Sequence, residues 1–253
     1  MAPTAAIVAI LAIGGLLLMR GSDKPSVQTT ESGGARFGSR RSAAEGDVST
    51  RADRQALGDP VTPADFTRRG VASFRGEDFA SALTQFEAAV DARPDDPNAL
   101  DMLGQTLVRL NRAPEAIPRL ESAVRLAPSK WSYRFNLARA RGLSGDWAGA
   151  VEDYRAADRL FRDDHATLFN LALALRKAGR TAEAAPILER VIALAPEDPS
   201  FVLMAARTYD ELDRREEAVA SYRKFLSRSA TGADADAARG RLARLESSDG
   251  PKP

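Results

Sequence analysis

The side chains able to do chemistry are few, and their scarcity bounds the function. There is no cysteine, which removes disulfides, thiolate metal sites and thiol catalysis together. His165 is the single histidine, so multi-histidine metal sites are excluded and one imidazole base remains. It follows Asp163-Asp164 at an expected helix start, with no further ligands at metal-binding spacing, and a structural or capping role is expected of it. Acidic pairs such as Glu216-Glu217 and Asp95-Asp96 have the character of solvated helix faces and turns. No catalytic residue, metal ligand or cofactor is assigned, and the chain is expected not to be an enzyme. Thirty-six basic side chains face 35 acidic ones, a net charge of +1 that gives no basic surplus for nucleic acid. Thirty-one of those cations are arginine, a bias of composition as much as of surface.

The amino terminus is a separate object. From Pro3 to Met19 no side chain is charged, and Ala6–Ile13 and Leu16-Leu17-Leu18 are strongly apolar. Seventeen residues at ~1.5 Å each span roughly 25 Å, near the lower limit for crossing a bilayer. No lysine or arginine precedes the run, and Met19-Arg20 stands where a cleavage site would fall. An uncleaved transmembrane anchor over residues 1–20 is therefore expected, with a cleaved signal segment as the alternative, and a lipoprotein anchor is excluded. Arg20, Lys24, Arg36, Arg40 and Arg41 follow it, which favours the cytoplasmic side of a bacterial inner membrane for the rest of the chain. The periplasm is the alternative. Residues 21–62, with Gly33-Gly34, Gly38-Ser39 and Thr29-Thr30, show neither helical stripe nor strand alternation and are expected to be disordered linker. As a coil, they would reach on the order of 35 Å. The glycines lack the lysine and hydroxyl residue of a phosphate loop.

From Pro63 the chain repeats itself every 34 residues. Gly70, Gly104, Ala138, Ala172 and Ala206 form one column, and Ala82, Ala116, Ala150, Ala184 and Ala218 a second, twelve further on. A large column follows (Phe86, Leu120, Tyr154, Leu188, Tyr222), then Ala89, Ala123, Ala157, Val191 and Phe225. Pro94, Pro128, Arg162, Pro196 and Ala230 close the units. Two small columns twelve apart fit two closely approaching antiparallel helices, with the large column filling the seam between units and the proline stopping the second helix. Gly145, Gly179 and Asn111 suit the left-handed turn between the two helices, and Asp96 and Asp164 suit helix caps. Pro118 and Pro186 fall inside second helices, where a slight kink is expected.

This period and pattern resemble the tetratricopeptide repeat. The resemblance covers residues 63–232, about two-thirds of the chain. It implies an all-α, right-handed α-solenoid of five helix-turn-helix repeats (63–96, 97–130, 131–164, 165–198 and 199–232). A capping helix over 233–246 should cover the last seam, with a flexible tail at 247–253. The third unit departs from the pattern. Arg134 and Arg141 stand where the family turns bulky apolar residues inward, and Arg162 replaces the closing proline. Either Tyr133, Phe135 and Leu137 pack while the arginines reach for solvent, or the superhelix carries a charged notch there.

The resemblance also implies a concave groove lined by the first helices. Matched position by position, its lining is Phe74, Arg75, Asp101, Gln105, Arg109, Phe135, Asn136, Arg139, Phe169, Asn170, Arg176, Lys177, Leu203 and Arg207. Asn136 and Asn170 match asparagines that meet an extended peptide's backbone in related grooves. Arg109, Arg139 and Arg176 would form a line of cations, although Asp210 and Glu211 reverse the sign at the carboxyl end. The partner expected is a protein or peptide with acidic or carboxylate features, with no nucleic acid and no small-molecule substrate. The whole then describes a membrane-tethered scaffold for assembling a bacterial envelope or membrane complex. A soluble exported assembly factor and an accessory subunit of an enzyme complex are the alternatives.

Overall fold

A computed structural model describes residues 62–247; the expected anchor, the linker up to residue 61 and the tail after residue 247 lie outside the described residues. Thr62, assigned above to the linker, already belongs to the fold as the amino-terminal cap of the first helix. Its hydroxyl accepts from the Asp65 amide at 3.3 Å, the Asp65 carboxylate accepts from the Thr62 amide at 2.9 Å, and Pro63 sets the first turn.

The described residues form eleven α-helices and no strand. Five pairs come first: α1 (Pro63–Arg75) with α2 (Phe79–Ala92), α3 (Pro97–Arg109) with α4 (Ala113–Leu126), and α5 (Trp131–Leu143) with α6 (Trp147–Leu160). Then come α7 (His165–Lys177) with α8 (Thr181–Leu194) and α9 (Pro199–Glu211) with α10 (Arg215–Arg228). A last helix, α11 (Ala233–Ser247), buries Ala235 and Ala238 and packs on α10, covering the final seam. Among the described residues no helix is long and apolar enough to cross a membrane.

Each pair turns the same way. Glu77, Asn111, Gly145, Gly179 and Asp213, one per unit, all adopt positive φ. The next amide reaches back to the last turn of the first helix, as from Arg112 to the Leu107 carbonyl at 2.9 Å and from Arg180 to Leu175 at 2.8 Å. That bond closes carbonyls the helix end would otherwise leave unpaired. Two glycines and an asparagine adopt this conformation cheaply; Glu77 and Asp213 hold it against a steric cost. Aspartates cap several helix starts: Asp96 and Asp164 accept amides at 2.9 and 2.8 Å as expected, and Asp78, Asp146 and Asp198 do the same. Helices α4 and α8 run on through Pro118 and Pro186.

All five alanines of the second small column are fully buried, as is the large column around them. The large column does not act only between units. A Cβ added at Gly70 would stand 2.7 Å from the Phe86 ring, and one at Gly104 would stand 2.5 Å from Leu120 Cγ. In the first two units the large side chain thus sits over the small residue of its own first helix, which lets the two backbones close up.

The apolar interior has two main parts that meet on one helix. Tyr133, Leu137 and Ala140 of α5 join the core of the first two units, whereas Phe135 and Ala138 of the same helix join the core of the last three.

Candidate functional site

First helices of successive units touch (α1 with α3, α3 with α5, α5 with α7), while successive second helices stay further apart. The first helices therefore line the inner, concave face. At its middle, between α3 and α5, lies a cluster built on Asp101, which is only 4% exposed. Its carboxylate accepts from Gln105 Nε2 at 2.7 Å, one turn along α3, and from Asn136 Nδ2 at 2.8 Å, across on α5. Burial pushes the Asp101 carboxyl up to about 6, against the pull of those two amides and of Arg139 and Lys130. Arg139, one turn beyond Phe135 and Asn136, has a buried Nε with no hydrogen-bond partner. Desolvation lowers its pKa, Tyr154 and Asp101 raise it, and Arg109 lowers it further. Tyr154 is itself pushed up by burial. The Phe135 ring meets Tyr154 edge-on at 5.5 Å.

Elsewhere the expected lining is redistributed. Phe74, Phe135 and Leu203 are buried and belong to the core rather than to an open groove. Phe169 is half-buried against Phe201, with ring centroids 4.9 Å apart. Of the expected line of three open cations, Arg109 is exposed, whereas Arg139 and Arg176 are half-buried. Arg176 forms a forked pair with Glu211 of the next unit, through Nε at 3.1 Å and Nη2. Arg109 lies over the Phe79 ring at 4.2 Å, with Glu77 at 3.9 Å. Arg207 pairs with Asp234 of α11 at 2.7 Å. Asn136 reaches another unit, whereas Asn170 donates at 2.8 Å to the Ala166 carbonyl of its own helix. Arg75 and Lys177 are exposed. The carboxyl-terminal anions are engaged too, since Asp210 holds Arg241 at 2.6 and 2.7 Å.

Arg134 and Arg141 of the third unit do not reach unpaired into solvent. Arg134 and Arg141 converge on Asp153, whose side chain is 6% exposed, at 3.2 and 2.5 Å. Arg141 also holds Glu121 of the preceding unit at 2.8 Å. Asp153 was missed by sequence reasoning. The available signal was a carboxylate and two arginines sharing one unit at positions that face each other across its two helices. Arg162 is exposed, and Phe161 beside it stacks on Trp131 at 5.1 Å. His165 lies against Phe201, ring centroids 6.0 Å apart.

Comparison with known proteins agrees with this geometry. Two family models described as tetratricopeptide repeat match residues 102–165 and 144–199, and residues 175–242. Peroxisomal targeting signal receptors of Eremothecium gossypii and Candida albicans are each 35% identical, over 83 and 68 residues, or 33% and 27% of this chain. The matched segments span only 15% and 12% of those receptors. Among solved structures, YrrB, described as a TPR protein with an unusual peptide-binding site, superposes with a TM-score of 0.64 at 18% identity over 77% of this chain and 98% of its own. A MamA protein gives 0.62 at 20% identity over 66% and 92%. A TPR protein of Thermus thermophilus gives 0.51 at 23% over 73% and 99%. At such identities the structures speak for the fold alone. The models together run from residue 102 to residue 242, more than half of the chain, and on that footing it belongs to the tetratricopeptide repeat family.

Proposed function

We propose that this chain is a scaffold that binds a protein segment or extended peptide along its concave face and does no chemistry itself. One observation carries the reading: the middle of that face holds a fixed polar cluster, Asp101, Gln105 and Asn136, beside an arginine that none of it satisfies. Buried polar groups are normally paired, and a bound chain's carbonyls, amides and carboxylates would complete the set. YrrB, a TPR protein with an unusual peptide-binding site, agrees in kind.

The uncharged run from Pro3 to Met19 supports a second part of the proposal, a single-pass anchor in a bacterial inner membrane. The cations after it favour cytoplasmic repeats, and the scaffold would then serve assembly of an envelope or membrane complex. Pull-down with the full-length chain from solubilised membranes, followed by mass spectrometry, tests both parts. Partners should be retained by Arg125→Glu, on the outer helix α4, and lost with the folded double variant Arg75→Glu, Lys177→Glu. Equal capture by all three would move the interface off the concave face. Release of full-length protein by carbonate would remove the anchor.

A further inference from the structure

We propose that the edge of the repeats where the second helices end docks on an anionic lipid bilayer, through exposed leucine and aromatic tips set among unpaired cations. This surface is separate from the concave face, and the inference goes beyond peptide binding there.

The first argument is where apolar side chains are left in water. Leu126, Leu160 and Leu194 stand 34 residues apart, each the last residue of a second helix (α4, α6 and α8). They are 44, 44 and 45% exposed, and Phe161, next after α6, is 50% exposed. In an antiparallel pair the second helix ends beside the start of the first, so all four share one edge. The stack of Phe161 on Trp131, the first residue of α5, shows that closeness at 5.1 Å. Leu143, at the end of α5, is exposed on the opposite edge. Single exposed apolar residues are ordinary, but a row of them on one edge marks an interaction surface.

The second argument is charge. Lys130, Arg159 and Arg162 are exposed beside these tips, and among the described residues none of the three has an ion-pair partner. Arg112, Arg134, Arg141 and Arg155 of the same two units all have carboxylate partners. Arg125, the counterpart of Arg159, is turned back onto Ser122 Oγ at 2.9 Å and is not counted. The nearby anions are engaged: Asp163 holds Arg190 at 2.5 Å, and Asp164 accepts the Thr167 amide at 2.8 Å. Asp95 and Glu197 are exposed at the first and fourth junctions, so the positive stretch is confined to the middle two.

Together these features select the occupant. Acyl carbon accepts the leucine tips, stacked Trp131 and Phe161 suit the depth at which aromatic rings collect, and lipid phosphates take the cations. A second copy laid on the same edge by two-fold symmetry would set like cations against each other. The anchor proposed for Pro3–Met19 would keep such a surface at high effective concentration, although the docking argument stands on the edge alone.

The test exploits the absence of cysteine, which lets one be introduced cleanly. Full-length Ser129→Cys, on this edge, and Ser144→Cys, on the opposite edge, carry the environment-sensitive dye nitrobenzoxadiazole; both serines are exposed. In vesicles of phosphatidylethanolamine with roughly one-third phosphatidylglycerol, the Ser129→Cys label should shift to the blue and be quenched by headgroup-nitroxide lipid. The Ser144→Cys label should stay as in water. In phosphatidylcholine alone, the ratio of docked to undocked Ser129→Cys label should fall about tenfold. Arg159→Gln with Arg162→Gln should lower that ratio roughly tenfold in the anionic vesicles, and so should Leu160→Ser with Phe161→Ser, checked for native helicity. Equal behaviour of the two labels, or an equal shift in uncharged vesicles, overturns the proposal. A shift set by the ratio of protein to lipid rather than by lipid charge also overturns it, and assigns the edge to contacts between copies. Carbonate washing separates this result from the anchor. Release of a chain that kept the charge-dependent shift removes the anchor alone, whereas retention without a shift removes the docking edge alone.

Discussion

Asp101 gives the molecule a pH dependence whose sign follows from its surroundings. Its carboxyl sits at about 6 in the fold against 3.8 as its ordinary value, so between those values the folded chain binds the proton that the unfolded chain has released. Stability should therefore be fully present below that window, fall as pH rises through it, and stay level above. The full effect is of the order of 3 kcal/mol. Asp101→Asn should abolish this slope and unfold in more urea than the parent at neutral pH, and a parallel slope in both chains would remove Asp101 as its source. Space is as decisive as charge at Gly104. Its added methyl would stand 2.5 Å from Leu120 Cγ, so Gly104→Ala should cost roughly 1–3 kcal/mol, and Ala116→Leu a comparable amount. Denaturant titration of both reads the effect, and unchanged midpoints would refute the register. These small positions were legible because the same demand recurs at 34-residue spacing. The pairing of Arg176 with Glu211 was not, because its partners lie 35 residues apart on a face whose geometry exists only once units stack.

At the scale of elements, the second helices begin in two ways. Asp78 and Asp146 cap α2 and α6 through their carboxylates, whereas Arg112, Arg180 and Arg214 precede α4, α8 and α10 with no side-chain cap bond. Each of these arginines instead pairs with a glutamate three residues on, Glu115, Glu183 or Glu217. Exposed pairs of this kind contribute little, while a carboxylate on free helix amides contributes more. Asp146→Ala should thus lower stability by about 1 kcal/mol. Arg180→Ala should leave the melting temperature nearly unchanged, and equal losses would contradict the distinction. Helix lengths, turns and the Asp96 and Asp164 caps could be foreseen from local chemistry alone. The burial of Phe74, Phe135 and Leu203 could not, since adjacent positions on a first helix divide between core and open face according to how far each unit rotates on the last.

The described repeats form a line of units in which each stabilises its neighbours. Its end is closed by α11, through buried Ala235 and Ala238 and through Arg241 on Asp210 and Arg223 on Glu246. A chain ending at Ser229 should melt at lower temperature and associate with rising concentration, as seen by calorimetry and light scattering. Monomeric behaviour with an unchanged melting temperature would show that the seam needs no cover.

Helix α5 has a consequence for how the chain is made. Proteins leave the ribosome amino end first, and a folding unit can form only when all of its contacts have emerged. The first core lacks Tyr133, Leu137 and Ala140 until α5 is out. It is complete with Ala140, before any residue of α6 exists. Phe135 and Ala138 on the same helix then wait, uncovered, for the units still to come. Synthesis thus passes through a stage with a finished half and one adhesive strip, the point at which a nascent chain is best served by a chaperone.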